Sequence, residues 1–284
     1  MRMTRRMFLG QTAAAVAAAK GWAADEVTFH HDRAAEVNRV GACVVSLEEA
    51  GRAGVEGIQI GEHKADDVLG ITTPERRAHY KRVMQETGIP VCSIMMGLFN
   101  EYPLATDPRA VAWMEQCVDT AKDLGTDNIL LAFFSKGDLQ HEGKLKEAEF
   151  AEAVKRIRAV APRAKDAGVS LAIENYLSAG QNMRMLDAIG HDAVSIYYDV
   201  YNTGISMRYD SPAEIRQLGR RISQVHYKNA GAYLDANRPY FEAVTAALKD
   251  IGYKGWIVLE TSAPSGDAFA DAKRNADFVR SLFG

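Results

Sequence analysis

The sequence predicts an α/β fold: a single (β/α)8 barrel. Three observations carry this. After residue 25, short apolar, β-branched runs alternate with amphipathic stretches of helical period. Repeated strand–helix units imply a parallel sheet with right-handed crossovers. Eight such units close on themselves, and 284 residues accommodate the roughly 250 a barrel of this kind needs. An open doubly wound sheet is the runner-up. Its dinucleotide-binding version is disfavoured, because no Gly-x-Gly-x-x-Gly follows the first strands.

Before the first strand stands Thr4-Arg5-Arg6-Met7-Phe8-Leu9, a twin-arginine pattern. It is followed by an uncharged Ala-rich run from Ala13 to Ala19, then Lys20 and small residues at Ala23 and Ala24. That order reads as a Tat export signal over residues 1–24, with a mature domain over 25–284 and a periplasmic destination. The run is too short to span a bilayer, which takes about 20 apolar residues, so no membrane insertion is expected after processing.

Strand one falls at 27–30 or at 40–45; both fit, and Ser46 can cap a helix after it. The next seven strands are expected at 55–60, 90–95, 128–133, 169–174, 194–199, 222–226 and 255–260. The helix over 107–125 has Asp107 as cap, Pro108 in its first turn and apolar residues at helical spacing, with Gly125 closing it. A second helix ends before Gly168 and contains Pro162, expected to kink it or begin a new turn. Further helices precede Gly252 and end the chain. Cys43, Cys92 and Cys117 are an odd set without a close pair, hence no disulfide framework. Cys92 and Cys117 read as small buried apolar groups.

Active sites of such barrels lie at the C-terminal strand ends. Strand five ends on Glu174, strand six on Asp199, strand seven on His226 and strand eight on Glu260. Any one of these acids alone reads as a solvated rim charge or a helix cap. Four metal-capable groups in register do not, because crowded carboxylates repel unless a cation or protons hold them. Three carboxylates and one imidazole suit one divalent ion: Mn²⁺, Mg²⁺ or Co²⁺, with Zn²⁺ also accommodated.

This ordered set resembles the sugar phosphate isomerase/epimerase family of the xylose-isomerase-like TIM barrel superfamily. The resemblance covers roughly residues 40 to 284. Gly54-Val55-Glu56-Gly57-Ile58-Gln59-Ile60 is similar to the family's second strand, His226-Tyr227-Lys228-Asn229 to its seventh-strand motif, and Gly252-Tyr253-Lys254-Gly255-Trp256 to the entry of its eighth strand. The resemblance implies that Glu174, Asp199, His226 and Glu260 are the metal ligands. It also implies that Glu174 and Glu260 exchange a proton with opposite faces of a substrate carbon. The departures are Gln59, where the family often has glutamate, Asn229 in place of an acid, and Asn202, where some ketose epimerases carry histidine.

The expected function is therefore a metal-dependent carbohydrate isomerase or epimerase working by proton transfer through an enediolate. The alternative is a lyase that eliminates a leaving group from 3-keto-glycosides at the same site, which export suits well. An endonuclease IV-like phosphodiesterase needs more histidines and a basic surface. The formal charge of −3, with both signs interspersed, carries no footprint for nucleic acid. A non-catalytic sugar-binding barrel is the fourth reading. Lys228, Asn175, Asn202, Lys136 and His141 are candidate substrate contacts, with rim salt bridges, turn caps or solvent exposure as their other roles. Phe133 and Phe134 are expected pocket walls, His30, His31 and His63 lie near the rim, His191 and Trp113 are structural, and His79 is a surface residue on a helix. No glycine-rich phosphate grip follows strands seven and eight. The expected partner is a small carbohydrate, phosphorylated or not, and a homodimer is compatible with the exposed helical faces.

Overall fold

A computed structural model of the chain describes residues 38–62 and 66–284. The signal-like segment, the 27–30 strand candidate, His30, His31 and His63 lie outside the described residues.

Eight parallel strands form a closed barrel: β1 Arg39–Ala42, β2 Gly57–Gly61, β3 Val91–Met96, β4 Asn128–Ala132, β5 Ser170–Glu174, β6 Val194–Asp199, β7 Ile222–Tyr227 and β8 Trp256–Leu259. Each pairs with its sequence neighbour, and β1 closes on β8 with Arg39 opposite Trp256 and Ala42 opposite Leu259. Around them run α1 Pro74–Thr87, α2 Ala110–Leu124, α3 Glu147–Ala167, α4 Ala179–Ile189, α5 Ser211–Leu218, α6 Arg238–Asp250 and α7 Ala268–Phe283.

The strand interiors are buried on both faces, which is why they read as apolar runs rather than alternating ones. The core between sheet and helices is made of residues such as Ile94, Ile129, Leu171, Ile173, Met114, Val118 and Ile157. Inside the barrel a smaller cluster, Cys92, Leu130, Ala132, Ala172, Tyr197, Trp256 and Val258, fills the lumen. Trp256 plugs the end opposite the strand C-termini. A Cβ at Gly57 would come within 2.6 Å of the Trp256 ring, so glycine there is what admits the indole. Arg39 lies over the same ring, 4.0 Å from its centroid.

Several local expectations change. No helix forms after β1; residues 47–54 are consecutive turns, although Leu47, Ala50 and Ala53 are buried. Ser46 donates to the Glu49 carboxylate (2.8 Å) instead of capping. Gly51 and the left-handed Gly54 (φ 65°) disfavour a helix in so short a segment. Asp107 closes a turn onto the Arg109 N–H (2.9 Å), and α2 begins only at Ala110. Pro162 sits inside α3, which runs unbroken over 21 residues, since buried Phe150, Ile157, Val160 and Ala164 hold it against the barrel. Trp113 and Cys117 are fully buried in α2, and Cys92 is buried in β3. His191 precedes β6 and pairs with Asp192, and His79 on α1 lies 3.0 Å from Glu48.

Candidate metal centre

At the C-terminal rim, strand register brings four ligand-capable side chains to one point. Asp199 is paired with His226 across β6 and β7, and Glu174 ends β5. The Glu260 N–H bonds the Tyr227 carbonyl (3.1 Å), which seats Glu260 just beyond β8. One donor atom from each of Glu174, Asp199, His226 and Glu260 lies within 4.8 Å of the others. Glu174, Asp199 and His226 are buried, and Glu260 is partly exposed at the mouth.

His226 Nδ1 faces the carboxylates: 3.0 Å from Glu174 Oε1, 3.6 Å from Glu260 Oε2 and 4.0 Å from Asp199 Oδ2. Asp199 divides its oxygens. Oδ1 accepts the N–H groups of Tyr201 and Asn202, both at 2.7 Å, at the start of a π-helical turn over Tyr201–Ser206. Oδ2 is buried without a hydrogen bond, although Lys228 Nζ stands 3.0 Å away. Lys228 Nζ also donates to Glu260 Oε2 (2.8 Å).

The electrostatics follow from crowding. Burial and the adjacent Glu174 push Asp199 up to about 7, against the pull of Lys228 and His226. Burial alone would lower His226, yet Glu174, Glu260 and Asp199 outweigh it and hold the imidazole above its ordinary value. Burial would lower Lys228, but Asp199 and Glu260 raise it. Burial would raise Glu260, but His226 and Lys228 bring it below the usual carboxylate range. Three acids round one imidazole fit a divalent ion: hard oxygen donors plus one nitrogen.

The remaining site candidates are placed as follows. Lys228 belongs to the cluster. Asn175 is buried and engaged in its own loop: Nδ2 donates to Asn182 (2.9 Å), and Oδ1 accepts from the Leu177 N–H (2.9 Å). Asn202 is buried in the π-turn that follows β6, its N–H on Asp199 Oδ1. Lys136 is exposed and paired with Glu101. His141 is exposed on a two-stranded hairpin, Gln140–His141 with Lys144–Leu145, that the sequence reading did not anticipate. Phe133 is fully buried. Phe134 packs with Cys43 and Met95 against the lumen cluster and meets Tyr176 edge-on (4.8 Å between centroids), giving the site one apolar wall.

Two residues the strand-end rule did not place in the site are Gln59 and Tyr197. Gln59 lies on β2, across the barrel, with Oε1 3.0 Å from His226 Nε2. Tyr197 packs on the imidazole (centroids 4.4 Å apart) and takes a hydrogen bond from Gln59 Nε2 (3.1 Å). The signal for Tyr197 was its position two residues before Asp199 on one strand, hence on the same inward face.

A family model described as "Xylose isomerase-like TIM barrel" matches residues 47–282. A curated relative, 2-epi-5-epi-valiolone 7-phosphate 2-epimerase of Actinoplanes sp., is 23% identical over 163 residues, 57% of this chain and 58% of the relative's own length. Among solved structures, an L-ribulose 3-epimerase superposes with TM-score 0.71 at 21% identity, covering 87% of this chain and 95% of that one. A 3-keto-D-glucoside 4-epimerase from E. coli superposes with TM-score 0.69 at 13% identity, covering 86% and 99%. At these identities the superpositions establish the common fold.

Proposed function

The chain belongs to the xylose isomerase-like TIM barrel family, and from that premise we propose that it is a divalent-metal-dependent carbohydrate epimerase or isomerase. The observation that carries this is the convergence of Glu174, Asp199, His226 and Glu260 on one point, each offering a donor atom within 4.8 Å of the others. The names of the matched relatives, sugar and cyclitol epimerases, agree with it.

Glu174, Asp199, His226 and Glu260 would hold the ion, which supplies Lewis acidity toward a carbonyl and an adjacent hydroxyl. The protein's own groups do the proton work. Glu174 and Glu260 approach from different strands, with His226 Nδ1 between them at 3.0 and 3.6 Å. One carboxylate removes the proton from the carbon beside the carbonyl, leaving an enediolate, and the other, entering the step as its carboxylic acid, delivers its proton to the opposite face. Positioned acid–base groups of this kind contribute about 10²–10⁴-fold. The Lys228 ammonium, held by Glu260 and Asp199, is placed to meet negative charge developing on a substrate oxygen. Phe134 and Tyr176 meet edge-on and offer a substrate an aromatic face.

A second reading uses the same first step. In a 3-keto-glycoside, the electron pair left by proton removal forms a carbon–carbon double bond and expels the substituent oxygen at the next carbon. Lys228 or a protonated glutamate supplies the proton to that leaving group. The likeness to a 3-keto-D-glucoside epimerase and the twin-arginine leader favour testing it. Metal analysis of the purified protein, paired with deuterium uptake from D₂O into free and 3-keto sugars, tests both readings. One divalent ion per chain with deuterium in an epimerised sugar supports the first. Release of an aglycone selects the second. No metal and no exchange overturns both.

A further inference from the structure

His226 sits in a pocket that fixes more than its place. Its Nδ1 faces three carboxylates, at 3.0, 3.6 and 4.0 Å. A cation bound among them takes the Nδ1 lone pair, so the ring proton must then reside on Nε2. That nitrogen is deep in the barrel, on a residue with no solvent exposure, and a buried N–H needs an acceptor. Among the described residues the hydrogen-bond partner of Nε2 is Gln59 Oε1, at 3.0 Å.

Gln59 is itself held. It is 4% exposed, and its Nε2 donates to Ser93 Oγ (2.9 Å) and to Tyr197 Oη (3.1 Å). With both amide protons directed at hydroxyls of β3 and β6, the amide oxygen is turned toward β7 and His226. The Tyr197 ring packs on the imidazole and restricts its rotation. We propose that Gln59 is the positioning residue of the metal centre: by accepting the Nε2 proton of His226 it fixes the tautomer and the ring angle that present Nδ1 to the ion. A neutral amide does this without adding a fourth carboxylate to a site that already holds three.

The inference rests on the metal reading of this site. It is tested by Mn²⁺ titration of wild-type protein and of Gln59→Leu and Gln59→Glu, followed by electron paramagnetic resonance of free Mn²⁺. The same proteins loaded with Zn²⁺ and labelled with ¹⁵N-histidine report the His226 Nε2–H and its hydrogen bond by NMR. Gln59→Leu leaves the Nε2 proton without an acceptor and is expected to weaken Mn²⁺ binding about 10–100-fold and to shift the Nε2–H resonance upfield as its hydrogen bond is lost. Gln59→Glu keeps an acceptor, and Ser93 and Tyr197 can rotate to donate to it, so the Nε2–H hydrogen bond and the affinity are expected to return toward wild type. If Gln59→Leu does not fold, Tyr197→Phe, which removes one of the two groups aligning the amide, is expected to weaken Mn²⁺ severalfold. Mn²⁺ affinity and the Nε2–H resonance unchanged in the variant that folds overturn the proposal alone. A wild-type chain that binds no Mn²⁺ overturns the metal reading together with it.

Discussion

Asp199 concentrates the physical tension of the site in one carboxyl group. Burial and Glu174 raise it to about 7, so in metal-free protein the folded state holds a proton that the unfolded chain, with an ordinary carboxyl near 3.9, has already released. Stability contributed this way is present at low pH and is lost as pH rises from about 4 through about 7. His226, also raised, acts with the same sign: its contribution is present below about 6.5 and is lost as pH rises through its folded value. Asp199→Asn should therefore raise the melting temperature of metal-stripped protein at pH 8 by a few degrees, since 1 kcal/mol moves a protein of this size by roughly 2–4 °C. It should also remove the stabilisation expected of Mn²⁺ in the wild type, and calorimetry with and without Mn²⁺ checks both. Glu260→Gln keeps the shape of the side chain and removes a proton carrier. Turnover and D₂O exchange should fall by about 10²-fold or more with the melting temperature held within a few degrees; full activity would remove Glu260 from the chemistry.

At the scale of the element, the barrel is made by fits between strands and closures at helix ends. β2 and β8 meet through Gly57 and Trp256, where a methyl group would stand 2.6 Å from the ring. Gly57→Ala should cost about 1–3 kcal/mol, read as a lower melting temperature with Mn²⁺ stoichiometry unchanged, because the indole lies at the barrel end away from the metal centre. α4 starts with a reciprocal capping box between Ser178 and Gln181, just after β5 delivers Glu174. The loops following β7 and β8 are fastened to α7 through Asp271, which accepts from Tyr233 Oη and from the Ser265 N–H and Oγ, all at 2.8 Å. Periodicity revealed the strands and most helices, because burial on both faces of a strand and one face of a helix is written directly in residue type. It did not reveal the missing helix after β1. Leu47, Ala50 and Ala53 keep a helical spacing, while the glycines at 51 and 54 and the short span to β2 give turns instead. Nor did it reveal the π-turn at Tyr201–Ser206, which depends on Asp199 Oδ1 collecting two N–H groups.

Across the whole molecule, metal binding and folding should be linked. Filling the site replaces protons on Asp199 and His226 with a cation, so protons leave as the ion binds. The rise in melting temperature on adding Mn²⁺ should be larger at pH 8 than at pH 5.5, with about 2.7 kcal/mol of stabilisation at a hundredfold excess over the dissociation constant. Equal shifts at the two pH values would contradict the linkage. The proposed Tat leader makes a prediction of the same scale: a reporter fused to residues 1–30 should be exported, and Arg5→Lys with Arg6→Lys should block it. Export that survives the double change would overturn that reading.

The sequence by itself determined the parallel barrel, since strand and helix patterns alternate along it, and it placed Glu174, Asp199, His226 and Glu260 at one rim, since each ends a strand in order. Strand order is a one-dimensional property, and a barrel converts it into a ring. Only the tertiary structure decided which atoms face inward and what lies across the lumen. Gln59, 167 residues from His226 in the chain, reaches its imidazole because closure of the sheet turns β2 and β7, three strands apart round the ring, toward one lumen. It likewise separated Lys228, bound into the cluster, from Lys136 and His141, exposed beyond β4. Residue type is the same for both lysines; distance to a buried carboxylate is set by closure of the sheet, which no local spacing encodes.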